Sequence, residues 1–207
     1  MDMDKFKFNR IILASKSQAR RNLIANLGIK AEIFVTGADE TLYGDYSPEN
    51  MVTELSERKA KKALEDLKDA ESLIITADTV VVYNGRILGK PSGEDDAFKT
   101  LSMMSGNSHE VYSGITLAVK SLNNQVKVLA DYDVTKVKFR EISPYEIDLY
   151  IKTGDPLSKA GSYGAEGIGA TFIERIEGDF FNIVGLPLNK FAGMLKTGWG
   201  LTIFDLI

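Results

Sequence analysis

Ser15, Lys16 and Ser17 lie between an apolar strand candidate at residues 11–14 and a predicted helix over residues 18–27 whose first turns carry Arg20 and Arg21. Backbone amides and the positive end of a helix dipole meet at such a turn, and hydroxyl and guanidinium groups suit a phosphate. The plain alternative is that Ser17 caps the helix and the arginines are solvated. Arg20 precedes Leu23 and Ile24 by three and four positions, so it shares their face and points to the sheet edge.

Asp78 interrupts an apolar run over residues 73–82 that reads as a strand buried on both faces. A buried carboxylate without a partner costs several kcal/mol. Asp78 is therefore either a structural group bonded to backbone amides at the strand's end, or a functional one that binds a divalent ion or takes a proton from an attacking water. Lys59 falls four residues after Leu55 and four before Ala63, on the apolar stripe of a helix. Its stem snorkels along that stripe, or its ammonium serves a site. Lys90, between Gly89 and Pro91, is a weaker candidate, since lysines in turns are usually solvated. Residues 155–169 form a glycine-rich loop, either a plain connection or a backbone that approaches a ligand closely. His109 has no nucleophile beside it and reads as a solvated turn residue.

These residues must be positioned by a larger frame. Gly28 follows the first helix, and a strand is expected over residues 31–35. Ser47 and Pro48 start a long helix with Val52, Leu55, Ala60, Ala63, Leu64 and Leu67 as its stripe. Asn84 and Gly85 turn the central strand into a type I′ hairpin. A third helix spans residues 94–104, with Ser92 as its expected cap. Strands over residues 111–119 and 126–139 are joined through Asn123 and Asn124, so part of the sheet is antiparallel. Ser143 and Glu146 form a capping box around Pro144, with Ile142 and Ile147 as a hydrophobic staple and Gly154 beyond the end. A strand over 171–176 and a helix over 188–195 complete an α/β fold with a mixed sheet, with no linker to divide it.

Composition narrows the chemistry. The 207 residues contain no cysteine, which excludes disulfides, thiolate zinc sites and cysteine nucleophiles. One histidine leaves a Ser-His-Asp hydrolase possible only through His109. Any metal must therefore sit on oxygen ligands or that histidine, which favours Mg2+ or Mn2+. With 25 basic and 29 acidic residues, nothing marks a surface for long nucleic acid, while a small anion held locally stays open. No apolar run approaches the ~20 residues that span a bilayer, and residues 1–9 lack a signal-peptide core, so a cytoplasmic protein is expected.

Taken in order, the motifs resemble the Maf family of nucleoside triphosphate pyrophosphatases. The opening Ala14-Ser15-Lys16-Ser17-Gln18-Ala19-Arg20-Arg21 is similar to the family's signature, with Gln18 where proline is usual. Ala77-Asp78-Thr79, Gly89-Lys90-Pro91, Ser105-Gly106 with His109, Asp155-Pro156-Leu157 with Lys159-Ala160-Gly161, and Val184-Gly185-Leu186-Pro187 also match. The resemblance implies one Maf-like domain over residues 1–207. It also implies an elongated α/β fold similar to inosine triphosphate pyrophosphatases, with two lobes, a cleft and usually a dimer. It implies metal-dependent cleavage between the α- and β-phosphates of a nucleoside triphosphate, with Asp78 as proton acceptor. Ser15, Arg20, Lys59, Lys90 and Lys159 then bind phosphate, and Asp39 and Glu40 join Asp78 as candidate metal ligands. Base selection falls on Ala19, Thr79 and Glu166. Thr79 matches the branch acting on thymidine and uridine triphosphates, Glu166 matches the branch acting on 7-methylguanosine triphosphate, and Ala19 matches neither. Asp78-Thr79 with Tyr163-Gly164 favours dTTP and UTP. A house-cleaning enzyme for modified nucleotides and a non-catalytic nucleotide-binding regulator of division are the alternatives.

Overall fold

The computed structural model describes residues 8–67 and 71–207. Strand β1 (Arg10–Leu13) leads into α1 (Gln18–Asn26), a two-residue β2 (Glu32–Ile33) and the long α2 (Pro48–Leu67). Then come β3 (Ser72–Tyr83), β4 (Arg86–Leu88), α3 (Glu94–Met104), β5 (Ser108–Lys120) and β6 (Val126–Phe139). Helix α4 (Pro144–Lys152), three short 3-10 segments within residues 155–172, β7 (Ile173–Glu177), α5 (Phe180–Val184) and α6 (Leu188–Trp199) follow.

The seven strands form one mixed sheet in the order β2-β1-β3-β5-β6-β7, with β4 paired to β3. Strand β1 is parallel to β2 and β3, while the other pairs are antiparallel. The alternation of β3 decides what lies on each face. Ile74, Val80 and Val82 pack with Val52, Ala60 and Ala63 of α2. Leu73, Ile75, Ala77 and Val81 enter the main core on the opposite face, with side chains from α1, α3, α4, α5 and α6. Phe139 and Phe191 are fully buried there. Truncating either to alanine costs roughly 3–5 kcal/mol.

Local signals explain most boundaries. Ser17 accepts the Arg20 amide, the Ser143–Glu146 capping box is present, and Asn84 and Gly85 both have positive φ, as a type I′ turn requires. Three expectations need correction. Ser92 does not cap α3: Gly93 holds that position, and Ser92 bonds forward to the Asp96 carboxylate instead. The strand expected over 31–35 shrinks to two residues, because only Ile12 and Leu13 offer it a register. His109 is not a solvated turn residue. It lies buried within β5, which begins earlier than its apolar run.

The sheet is open on one side of its central strand. Strand β1 pairs with β3 only as far as Ile75, and β4 pairs with β3 only from Val81 onward. Among the described residues no strand covers residues 76–80 on that side. The Ile75 carbonyl accepts the Ala14 amide at 2.8 Å, so by alternation the backbone groups of Ala77 and Thr79 also face this gap.

Candidate active site in the gap beside the central strand

A cavity of about 720 Å³ occupies the gap. Because Asp78 and Thr79 are adjacent on a strand, their side chains leave opposite faces, and the cavity wraps the free edge to reach both. The Asp78 side is charged. Lys59, brought from α2 by its position on the apolar stripe, places its Nζ 2.5 Å from Asp78 Oδ1 and 3.4 Å from Glu40 Oε1. Both members of the Lys59–Asp78 pair are largely buried, with 12% and 14% of their side chains exposed. The partner that a carboxylate in β3 requires is therefore a lysine, and the lysine does more than snorkel.

The turn after β1 closes one end. Ser15, Lys16, Ser17, Gln18 and Ala19 line the cavity, as do the exposed Lys90 and the half-buried Lys159 from the far loops. Arg20 also lines it, but much of its guanidinium is already engaged. Its Nε donates to the Gly185 carbonyl at 2.7 Å and its Nη2 to Thr79 Oγ1 at 2.9 Å. Burial lowers its pKa from the usual arginine value, and the charges on Asp78 and Glu40 oppose that fall. Arg21 is held on the Ser15 carbonyl and lies outside the lining. Asp39 is outside as well: it accepts the Thr41 amide at 2.9 Å, which lowers its pKa. Of the two candidate metal ligands in that loop, only Glu40 reaches the cavity.

The Thr79 side is largely apolar, built from Ala19, Ala77, Val81, Val111, Ile183 and Val184 with the ring of Tyr163. The loop that carries Tyr163 is fastened from beneath. His109 Nε2 and the Tyr163 hydroxyl lie 2.8 Å apart, and burial pushes the imidazole pKa down to about 4. Tyr150 donates to Asp155 Oδ2 at 2.5 Å and accepts the Gly164 amide at 3.1 Å, tying the start of the loop to its middle. Burial and the Asp155 carboxylate raise the Tyr150 pKa. Gly161 has φ of +65° and packs so closely that an added Cβ would sit 2.7 Å from Val81 Cγ2. Within the loop, Lys159 Nζ lies 2.6 Å from Glu166 Oε1. A candidate phosphate ligand and a candidate base reader are thus paired with each other.

Sequence reasoning missed Tyr150, Ser113 and Asn182. Tyr150 hides among the apolar positions of α4, whereas Ser113 and Asn182 are fully buried polar residues. The apolar neighbours of Ser113 in β5 were the available signal.

The profile of the Maf-like protein family matches residues 10–198. The chain belongs to the Maf-like protein family. Among curated relatives, a Clostridium perfringens protein named dTTP/UTP pyrophosphatase is 44% identical over 188 residues, covering 90% of this chain and 96% of the relative. A Bacillus cereus protein of the same name is 40% identical over 187 residues, covering 90% and 94%. Among solved structures, the Ham1 protein of Staphylococcus aureus overlaps 80% of each chain at 15% identity with a TM-score of 0.44. That overlap is too loose to bear on the site. It is the fold that brings the opening turn, Asp78, Lys90 and the Lys159 loop to one cavity, with Arg21 and Asp39 outside its lining. No helix among the described residues is long and apolar enough to cross a membrane.

Proposed function

We propose that this Maf-like protein hydrolyses dTTP and UTP to the nucleoside monophosphate and pyrophosphate. The observation that carries the reading is the Asp78–Lys59 pair at the boundary between a charged and an apolar wall. It is supported by the 44% identity to a dTTP/UTP pyrophosphatase. A triphosphate entering on the charged side competes with Asp78 for the Lys59 ammonium. Once freed, Asp78 takes a proton from a water whose oxygen bonds to the α-phosphorus, the bridging Pα–O bond breaks, and pyrophosphate leaves. Lys59 and Lys90, with Ser15 and Ser17 at the turn, hold the phosphate oxygens as charge redistributes.

A magnesium or manganese ion fits the donor set. Magnesium takes one or two carboxylates and completes its shell with water and phosphate oxygens, and Asp78 and Glu40 already converge on the Lys59 ammonium. Among the described residues no group of three or more acidic or histidine side chains forms a protein-only cage, so substrate oxygens and water would complete the shell. When bound, the ion neutralises phosphate charge. On the family resemblance we further read the protein as a cytoplasmic homodimer, with light scattering as the check on its mass in solution.

The test is pyrophosphate release from a panel of standard and modified nucleoside triphosphates with Mg2+ or Mn2+, comparing the native protein with Asp78→Asn. Metal-dependent release led by dTTP and UTP, lost in the variant while nucleotide still binds, supports the reading. Native-like turnover in Asp78→Asn removes Asp78 from the mechanism, and binding without turnover in the native protein points to a regulator.

A further inference from the structure

The Thr79 hydroxyl lines the cavity beside this apolar wall, and its proton has a single place to go. Thr79 on β3 and Ser113 on β5 are register partners, with their hydroxyl oxygens 2.8 Å apart. Ser113 is fully buried, and its Oγ lies 2.8 Å from the backbone carbonyl of Asn182. A carbonyl only accepts, so Ser113 gives its one proton to Asn182 and can only accept from Thr79. Thr79 must then donate to Ser113, while it accepts from Arg20 Nη2 at 2.9 Å. The relay is anchored. Asn182 is fully buried and its Nδ2 donates to the Val111 carbonyl and Thr135 Oγ1.

Thr79 is left with one lone pair for the cavity and no proton. An ionised triphosphate offers only acceptor oxygens, so it gains nothing there, whereas an N–H of a base gains a hydrogen bond against an apolar surround. We propose that Ser113 is a specificity-positioning residue: by taking the Thr79 proton it makes Thr79 a pure acceptor, which selects a pyrimidine-2,4-dione, whose ring N3–H donates, over cytosine, whose N3 accepts. The proposal rests on the nucleotide reading above and names how that site rejects the wrong pyrimidine.

The experiment is calorimetric binding of the non-hydrolysable α,β-methylene analogues of UTP and CTP, independent of turnover, to the native protein, Ser113→Ala, Ser113→Thr and Thr79→Val. In Ser113→Ala the Thr79 proton is free to turn toward the cavity and meet the cytosine N3, so the UTP:CTP affinity ratio falls about tenfold. Ser113→Thr keeps the hydroxyl and the ratio. Thr79→Val removes the acceptor and lowers the ratio too, which carries the test if Ser113→Ala fails to fold. A native ratio retained in folded Ser113→Ala, or in Thr79→Val, overturns the relay while leaving the nucleotide reading intact. No binding of either analogue by the native protein overturns the nucleotide reading, and the relay with it.

Discussion

The only histidine of the chain is an internal reporter of the loop over the cavity. His109 is 2% exposed, its Nε2 meets the Tyr163 hydroxyl, and its Nδ1 is a buried atom with no partner. Burial without an acidic neighbour disfavours the charged ring, and its pKa falls from 6.5 to about 4. The unfolded chain therefore binds the proton more readily than the folded one between these values. Stability is highest above pH 6.5 and declines as pH drops toward 4. A gap of this size corresponds to about 3 kcal/mol, accrued at roughly 1.4 kcal/mol per pH unit. Glu146, whose pKa is lowered to about 2 chiefly by Arg140, loses its contribution only below its unfolded value of 4.5. The window from pH 6.5 to 4.5 thus belongs to the histidine. Two measurements check this. The single imidazole resonance should stay near its neutral position down to about pH 5 and titrate near 4, and urea unfolding followed by Trp199 fluorescence should lose over 2 kcal/mol, on the order of the linkage above, across the window. His109→Leu should flatten that slope. A midpoint near 6.5, or an equal slope in the variant, would refute the buried neutral ring.

Lys59→Met keeps the apolar stem but strands Asp78 among buried neighbours. It should cost roughly 1–3 kcal/mol of stability, less than a fully buried pair because both partners keep some solvent, and should reduce pyrophosphate release more than nucleotide affinity. Denaturant melts alongside steady-state kinetics check both. Glu166→Gln removes the charge that holds Lys159 and should shift the ranking of triphosphates toward dTTP and UTP. An unchanged ranking in the panel assay would mean that Glu166 does not read the base. Gly161→Ala forces a side chain into left-handed backbone against Val81 and should destabilise the protein by about 2–4 kcal/mol, read as a lowered unfolding midpoint.

Periodicity and punctuation made much of this fold legible. The stripe of α2, the Asn84-Gly85 turn and the Ser143 capping box are local signals, and the structure honours each of them. The short β2 and the buried His109 were not legible, because strand length and the burial of a polar ring are set by neighbours distant in sequence. The site divides the same way. Asp78 and Lys59 stood out as charges in apolar patterns, and they meet. Arg21 and Asp39 had the right chemistry, but a nearby backbone group claims each of them first. Ser113 and Asn182 are ordinary polar residues in sequence, and only the pairing of β3 with β5 and the return of α5 give them work.

The dependence of the site on register follows from the same strand. Asp78 and Thr79 serve opposite walls only because neighbouring residues on a strand face opposite ways, so a slip of one residue would put the carboxylate in the apolar wall and the hydroxyl beside Lys59. The gap leaves this segment unpaired on one side, where β1 and β4 hold only its ends. What fixes it is the other side: nine consecutive pairs with β5, from Ile74–Ala118 to Val82–Glu110. Gly114, opposite Asp78 in that ladder, lies where an added Cβ would come 2.2 Å from the Val52 carbonyl of α2. The close approach of α2 that delivers Lys59 therefore requires glycine at this one position. The ladder that sets which wall Asp78 faces also carries the residue that lets its partner reach it.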